Sequence, residues 1–179
     1  ACGEDIEILL VDDGSTKDDT AAICDRWQNE HPDIVRAIHQ PNLGHGGAVN
    51  TGIHNAQGLY FKVVDSDDWV NEESYKEILK TLEELVKGSK TVDLLISNFV
   101  YEKQGAKRKK VMNYRTAIPK EELIDWSGVK MFMLGQYILM HSVIYRTEML
   151  RECGLKVPFE DGYFEEIVEK LEKKLQDRK

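Results

Sequence analysis

Three carboxylates fall within four residues at Asp65-Ser66-Asp67-Asp68, directly after the apolar stretch Leu59 to Val64. Charges so close repel each other, and a divalent cation removes that cost. Mg²⁺ and Mn²⁺ take oxygen ligands, and one or two protein carboxylates suffice when a substrate phosphate supplies others. The pattern therefore suits a cation bridged to a diphosphate. It also suits a solvated turn whose aspartates cap a helix starting near Glu72. An EF-hand is excluded, because its glycine would fall at Val70 and its final glutamate at Lys76.

A second acidic pair, Asp12-Asp13, ends the apolar run Ile6 to Val11. A carboxylate at a strand end can accept a hydrogen bond from a uracil N–H or a ribose hydroxyl. The same pair also suits an Asx-turn or a helix cap. The third motif is Asn42-Leu43-Gly44-His45-Gly46-Gly47-Ala48. Glycines before a helix let backbone amides approach an anion at the helix N-terminus. No Gly-Lys-Ser/Thr follows, so this is not a P-loop, and Val49 occupies the last position of the dinucleotide fingerprint. A plain loop that needs positive φ is the competing account.

These motifs need elements to position them. Ile6 to Val11 reads as a strand buried on both faces, and Asp12 to Thr16 as a turn and helix cap. The next helix carries Ile23 and Trp27 on one face and stops at Pro32. Ile34 to His39 is a second strand. Asn42 to Gly47 is expected as a loop, followed by a helix with Val49, Ile53 and Ala56 at helical spacing and Gly58 at its end. Leu59 to Val64 is a third strand. Tyr75, Ile78, Leu79, Leu82 and Val86 mark an amphipathic helix. Val92 to Tyr101 reads as a fourth strand, Val111 to Tyr114 as another, and Glu121 to Leu134 as helical in two pieces. Tyr137 to Tyr145 is expected as a strand and Thr147 to Cys153 as a short helix. Ile167, Leu171 and Leu175 stand four apart in a charged tail that reads as an amphipathic surface helix. Strands alternating with helices imply βαβ units and a mostly parallel sheet, with ligands beyond the carboxyl ends of its strands. His141 and the fairly apolar stretch from Met131 to Ile144 read as core, as do Trp27 and Trp126. Trp69 fits either the core or a sugar face.

The bulk numbers fit one soluble globular domain of 179 residues, 41% hydrophobic and 31% charged. A formal charge of −8 argues against nucleic-acid binding, which needs clustered Lys and Arg. The one basic run, Lys107 to Lys110, reads as a solvated loop. Three cysteines, Cys2, Cys24 and Cys153, lack metal-ligand spacing, so neither a disulfide scaffold nor a zinc site is expected. A reduced, cytoplasmic setting fits. No signal peptide or membrane-length apolar run is visible.

Taken in order, Ile8-Leu9-Leu10-Val11-Asp12-Asp13-Gly14-Ser15-Thr16, Asn42-Leu43-Gly44, Asn50-Thr51-Gly52-Ile53, Gly58 and Val64-Asp65-Ser66-Asp67-Asp68-Trp69 resemble family-2 glycosyltransferases. The resemblance implies a Rossmann-like GT-A nucleotide-diphospho-sugar transferase fold, α/β with a mostly parallel central sheet flanked by helices. It assigns Asp13 to the base, with Asp12 beside it. Asn42, Gly44 and Asn50 would line the nucleotide pocket. Asp65 and Asp67 would form an Asp-x-Asp site for Mn²⁺ or Mg²⁺, and Asp68 would shape the donor pocket. Asp161, in Phe159-Glu160-Asp161, would be the general base. The implied partners are a nucleotide-sugar donor and a glycan or glycolipid acceptor, with peripheral contact at the inner face of a membrane. Two segments are expected: residues 1–158 as the transferase domain and 159–179 as a charged helix. The strand and helix that usually open this family are not found before Ile6, so the chain reads as N-terminally incomplete. A non-catalytic fragment and a nucleotidyltransferase are the competing functions.

Overall fold

The computed structural model describes residues 6–88, 90–102, 105 and 109–154. Cys2, Asp161 and the expected tail helix lie outside the described residues. The chain divides into two units. One runs to Phe61 and resumes at Arg146; the other is Lys62–Tyr145.

In the first unit, β1 (Ile8–Asp12) and β2 (Val35–His39) pair in parallel across the helix α1 (Thr20–Glu30). Their register sets Ile8 opposite Val35 and Asp12 opposite His39. The Gln28 side chain of α1 accepts a hydrogen bond from the Ala37 N–H of β2 at 2.7 Å, satisfying a strand donor that β1 does not take. α1 buries none of its residues: Ile23 and Trp27 are 43% and 45% exposed, and Trp27 stacks on His31. Trp27 is therefore not core, because the helix lies on the surface. The strand β1 is only half-buried, with Ile8 exposed, so it is not closed on both faces.

α2 spans Gly44–Asn55, so Gly46 and Gly47, expected in a loop, fall in the first turn of a helix, while Asn42 and Leu43 precede it and Gly44 at its start has the positive φ of a loop glycine, +74°. Gly46 and Gly47 are buried there. Their burial against the rest of the unit overrides their poor helix propensity. Val49, Ile53 and Ala56 form the buried face of this segment. The helix closes at Asn55 with Ala56 as its C-cap, ahead of Gly58. Its last carbonyls accept hydrogen bonds from two guanidinium groups: Arg36 on Asn55, and Arg151 on Ile53, His54 and Ala56. Cations at a helix C-terminus satisfy orphan acceptors and complement the macrodipole. Arg151 belongs to α4 (Thr147–Glu152), whose Met149 and Leu150 are 2% and 1% exposed. Thr147 anchors α4 by hydrogen bonds to the carbonyls of Leu59 and Gly58.

The second unit begins in β3 (Tyr60–Lys62) and continues through the acidic turn into α3 (Glu72–Lys87). Asn71 caps α3 by accepting from the Ser74 N–H at 2.9 Å, so the cap is not one of the aspartates of the acidic turn. The expected strand Val92 to Tyr101 is two strands, β4 (Leu94–Ile96) and β5 (Phe99–Tyr101). The break falls at Ser97 and Asn98, whose side chains bond the Ser142 carbonyl and the Tyr114 N–H. β5 pairs antiparallel with β6 (Lys110–Met112), and β4 pairs antiparallel with β7 (Val143–Arg146). β3, β7 and β4 form a three-stranded sheet in the order β3-β7-β4. Of these registered pairs β1–β2 is parallel and the other two are antiparallel.

Glu121 to Leu134 is not two helices; it holds a single 3₁₀ turn at Trp126–Gly128. Met131, Met133 and Leu134 are 90%, 60% and 107% exposed, so the apolar stretch Met131 to Ile144 is not core at its start, whereas Val143 and Ile144 at its end are. The core of this unit is built instead from Met112, Tyr114, Ala117, Val143, Ile144 and Tyr145. A second 3₁₀ turn, Met140–Ser142, precedes β7 in place of the longer strand expected there, and it carries His141. Cys24 and Cys153 are free thiols.

Candidate functional sites

Each unit carries one of the two acidic motifs at the end of a strand. In the first unit, the parallel register places His39 beside Asp12. Asp12 is 5% exposed, and both its oxygens are engaged. Oδ1 accepts the Ser15 N–H at 3.0 Å, closing the turn, and Oδ2 lies 2.9 Å from His39 Nδ1. His39 Nε2 lies 2.9 Å from Asp25 Oδ1 on α1. The hydrogen bonds from Ser15 and then His39 hold the Asp12 carboxyl below its usual range, and Asp12 and then Asp25 raise the His39 imidazole. Asp12 therefore closes its turn through the N–H three residues on, with His39 as a strut behind it.

Asp13 is half-buried, and its Oδ1 accepts from Gln40 Nε2 at 2.5 Å and from the Leu43 N–H at 2.9 Å. Gln40 in turn accepts the Thr51 hydroxyl on α2. Asn42 Oδ1 accepts the Gly44 N–H at 3.3 Å, and Asn50 is half-buried on α2. The unit thus gathers Asp12, Asp13, Asn42, Gly44 and Asn50 around the ends of β1 and β2 and the start of α2. Gly14 links them at φ +75°, where a Cβ would stand 2.7 Å from the Asn42 nitrogen. His39, Gln40, Thr51 and Asp25 were not singled out by sequence. A parallel Asp12–His39 register would have found the first of them.

In the second unit, the Asp68 N–H bonds the Asp65 carbonyl at 3.0 Å, so Asp65 to Asp68 is a β-turn. The turn brings together its first and last side chains. Asp65, Asp68 and His141 offer ligand atoms that all lie within 4.8 Å of one another. His141 Nδ1 is 4.0 Å from Asp65 Oδ2 and 3.7 Å from Asp68 Oδ2. Asp67 is exposed and outside this group, so the structure gathers Asp65 with Asp68 and His141 and not with Asp67. His141 is 27% exposed at its side chain, and Phe99 meets its ring edge-on at 5.2 Å, so it is not a core residue. Lys62 donates to the His141 carbonyl; burial lowers its pKa, against the raising effect of Asp68 and Asp65. Tyr101 and Tyr137 share a 2.6 Å hydroxyl–hydroxyl bond. Burial, then that bond, pushes the Tyr101 hydroxyl up to about 12. Trp69 is 68% exposed, which removes the core option for it.

Two carboxylates and one imidazole within this span fit a divalent cation. Ligand atoms each about 2.1 Å from one ion lie roughly 3–4 Å apart, and the His141 separations fall in that range.

Comparison with known proteins gives the class. Residues 2–164 match the sequence profile of glycosyl transferase family 2. Glycosyltransferase GlyG of Streptococcus pneumoniae serotype 4 is 40% identical over 97 residues, which is 54% of this chain and 30% of that protein. The crystal structure of S. aureus TarS 1-349 superposes at a TM-score of 0.63 with 23% identity, covering 90% of this chain and 43% of that one. The same fragment in complex with UDP superposes at 0.58 with 22% identity, over 87% and 41%. The fold is therefore the α/β GT-A fold. The chain belongs to glycosyl transferase family 2, and it spans less than half the length of the relatives it matches.

Proposed function

We propose that the chain is the donor-binding part of a metal-dependent, inverting glycosyltransferase that moves a sugar from a UDP-sugar to an acceptor hydroxyl of a cell-surface glycan or glycolipid. The observation that carries this reading is the acidic turn Asp65 to Asp68, closed by its own backbone bond and joined by His141. The family match and the UDP held by TarS, a protein of the same fold, support the choice of donor.

In this reading Asp13 receives the nucleobase, held in place through Gln40, Thr51 and the Leu43 amide. Asp12 shapes the turn that presents Asp13, and Asn42, Gly44 and Asn50 line the nucleotide pocket. Asp65 holds the cation with Asp67 as the motif implies or with Asp68 as the turn arranges, and Asp68 borders the sugar diphosphate. A divalent cation, when bound, offsets the charge of the departing diphosphate. Asp161 takes the proton of the attacking acceptor hydroxyl. No described helix is long and apolar enough to cross a membrane, and the chain is proposed to work peripherally at the inner membrane face.

Calorimetry of UDP binding with and without Mn²⁺, on the wild-type chain and on Asp65→Asn and Asp67→Ala, tests the reading. Mn²⁺-dependent binding that Asp65→Asn abolishes supports it, and the Asp67→Ala result decides between the two carboxylate pairings. A folded wild-type chain that binds no UDP with or without Mn²⁺ refutes the donor site.

A further inference from the structure

We infer that His141 is a nitrogen ligand of the divalent cation, and that this makes the site prefer Mn²⁺ to Mg²⁺. The inference rests on the cation reading proposed above and goes beyond the carboxylate motif.

The spacing is the first argument. His141 Nδ1 stands 3.7 Å from Asp68 Oδ2 and 4.0 Å from Asp65 Oδ2. Both separations exceed the donor–acceptor range of a hydrogen bond, about 2.7–3.2 Å. His39, by contrast, closes on Asp12 to 2.9 Å. At the acidic turn the imidazole approaches both carboxylates without bonding either, and the interval between them suits an ion bonded to all three.

Preorganisation is the second. The 3₁₀ turn that carries His141 is fixed at several points. The Ser142 N–H and hydroxyl both donate to the Leu139 carbonyl, at 2.9 and 2.6 Å. The Ser97 N–H and hydroxyl donate to the Ser142 carbonyl at 2.8 and 3.0 Å. Lys62 donates to the His141 carbonyl itself. Phe99 meets the imidazole at an interplanar angle of 89°. A ligand whose backbone and ring are already ordered loses little entropy when it binds a cation.

The donor chemistry gives the selectivity. Mg²⁺ dehydrates reluctantly and favours an all-oxygen octahedron, whereas imidazole raises affinity along the first-row series that begins with Mn²⁺. Two carboxylates and one imidazole are a poorer match to Mg²⁺ than three oxygens would be.

The test uses the unmodified, tag-free chain with Mn²⁺ and no nucleotide. Electron paramagnetic resonance counts bound Mn²⁺, and electron spin-echo envelope modulation reports whether a ¹⁴N of imidazole is bonded to it. The chain has five histidines, so the assignment uses His141→Ala and His141→Asn, with circular dichroism confirming that at least one remains folded. We expect ¹⁴N coupling in the wild type and its loss in the folded variant. Mn²⁺ affinity should fall roughly tenfold or more, on the scale set by perturbed metal ligation. Mg²⁺ affinity, from competition, should fall much less. Bound Mn²⁺ without ¹⁴N coupling, or coupling that persists in a folded His141 variant, overturns the role of His141 and leaves the carboxylate site standing. A folded wild-type chain that binds no Mn²⁺ overturns the cation reading and this inference together.

Discussion

Gly14 sits between the two aspartates that end β1 and the loop they organise, and its replacement by alanine has a cost that can be worked out. The residue has φ +75°, a conformation that costs an L-residue about 1–2 kcal/mol. The smaller entropy of the unfolded alanine chain returns about 0.4–1 kcal/mol. The added Cβ would meet the Asn42 nitrogen at 2.7 Å, the Gln40 carbonyl oxygen at 3.2 Å and the Asn42 Cα at 3.3 Å. All three are backbone atoms, so no side chain can swing aside. Overpacking of this kind typically adds about 1–3 kcal/mol. Gly135 serves as the control: it has φ +79°, and a Cβ added there would meet nothing within 4 Å. Gly135→Ala should therefore cost only the conformational part, about 1 kcal/mol or less. Gly14→Ala should cost about 2–4 kcal/mol. Urea unfolding of both variants, compared at equal m-value, measures the difference. The loop that must yield, Gln40 to Leu43, holds the Asp13 carboxylate, so UDP affinity should also fall in Gly14→Ala and not in Gly135→Ala. Equal destabilisation by the two substitutions would refute the argument from backbone contact.

Three further outcomes follow from the packing and the charges. The raised His39 imidazole contributes stability that is complete below its ordinary value of about 6.5 and is lost as pH rises through its folded value. The lowered Asp12 carboxyl contributes stability that is present above its ordinary value and is lost as pH falls through its folded value. Urea midpoints should thus decline as pH rises above about 6.5 in the wild type and decline less in His39→Gln; parallel declines would remove the strut. Arg151→Ala leaves the carbonyls of Ile53, His54 and Ala56 without their charged donor and should cost about 1.5–3 kcal/mol. Arg151→Lys should recover less than half, since an ammonium cannot fork across several acceptors; the check is again denaturant unfolding. Leu150→Ala, at a residue 1% exposed, should destabilise by about 2–5 kcal/mol in the same assay.

Local pattern made much of the fold legible. The apolar runs locate β1 and β2, the i, i+4 spacing of Val49 and Ile53 locates the buried face of α2, and the α3 stripe holds from Tyr75 to Leu82 but not at Val86, which is 43% exposed. The errors fall where tertiary context outweighs period. Gly46 and Gly47 look like a loop by propensity, yet they lie buried in the first turn of α2, while Gly44 at its start keeps the positive φ that the loop account required. Met131, Met133 and Leu134 look like core by hydropathy, yet they are exposed. Hydropathy ranks what a side chain prefers, not whether a neighbouring surface is present to cover it. At the acidic turn the β-turn brings Asp65 near Asp68 and His141, a grouping that the Asp-x-Asp spacing alone does not reveal. His141 arrives from far along the chain, and no local period marks it. His39 is visible only once the β1–β2 register is known.

The first unit is discontinuous, and that has a consequence for how the chain is made. α2 emerges from the ribosome early, but α4 and Arg151, which pack on it and bond its last carbonyls, follow an excursion of about 80 residues. At synthesis rates of about 5–20 residues per second, the Val49–Ile53–Ala56 face and the C-terminal carbonyls of α2 wait roughly 4–16 s for their partners. Closing a loop of that length costs about 4 kcal/mol beyond a constant, by the logarithmic scaling of chain entropy. Order within Lys62–Tyr145 would shorten the effective loop, and its core is completed only when Val143, Ile144 and Tyr145 are made, just before α4. Substitutions that slow the ordering of Lys62–Tyr145 should therefore prolong the exposure of α2 on the nascent chain, and a defect in one unit would surface as aggregation through the other.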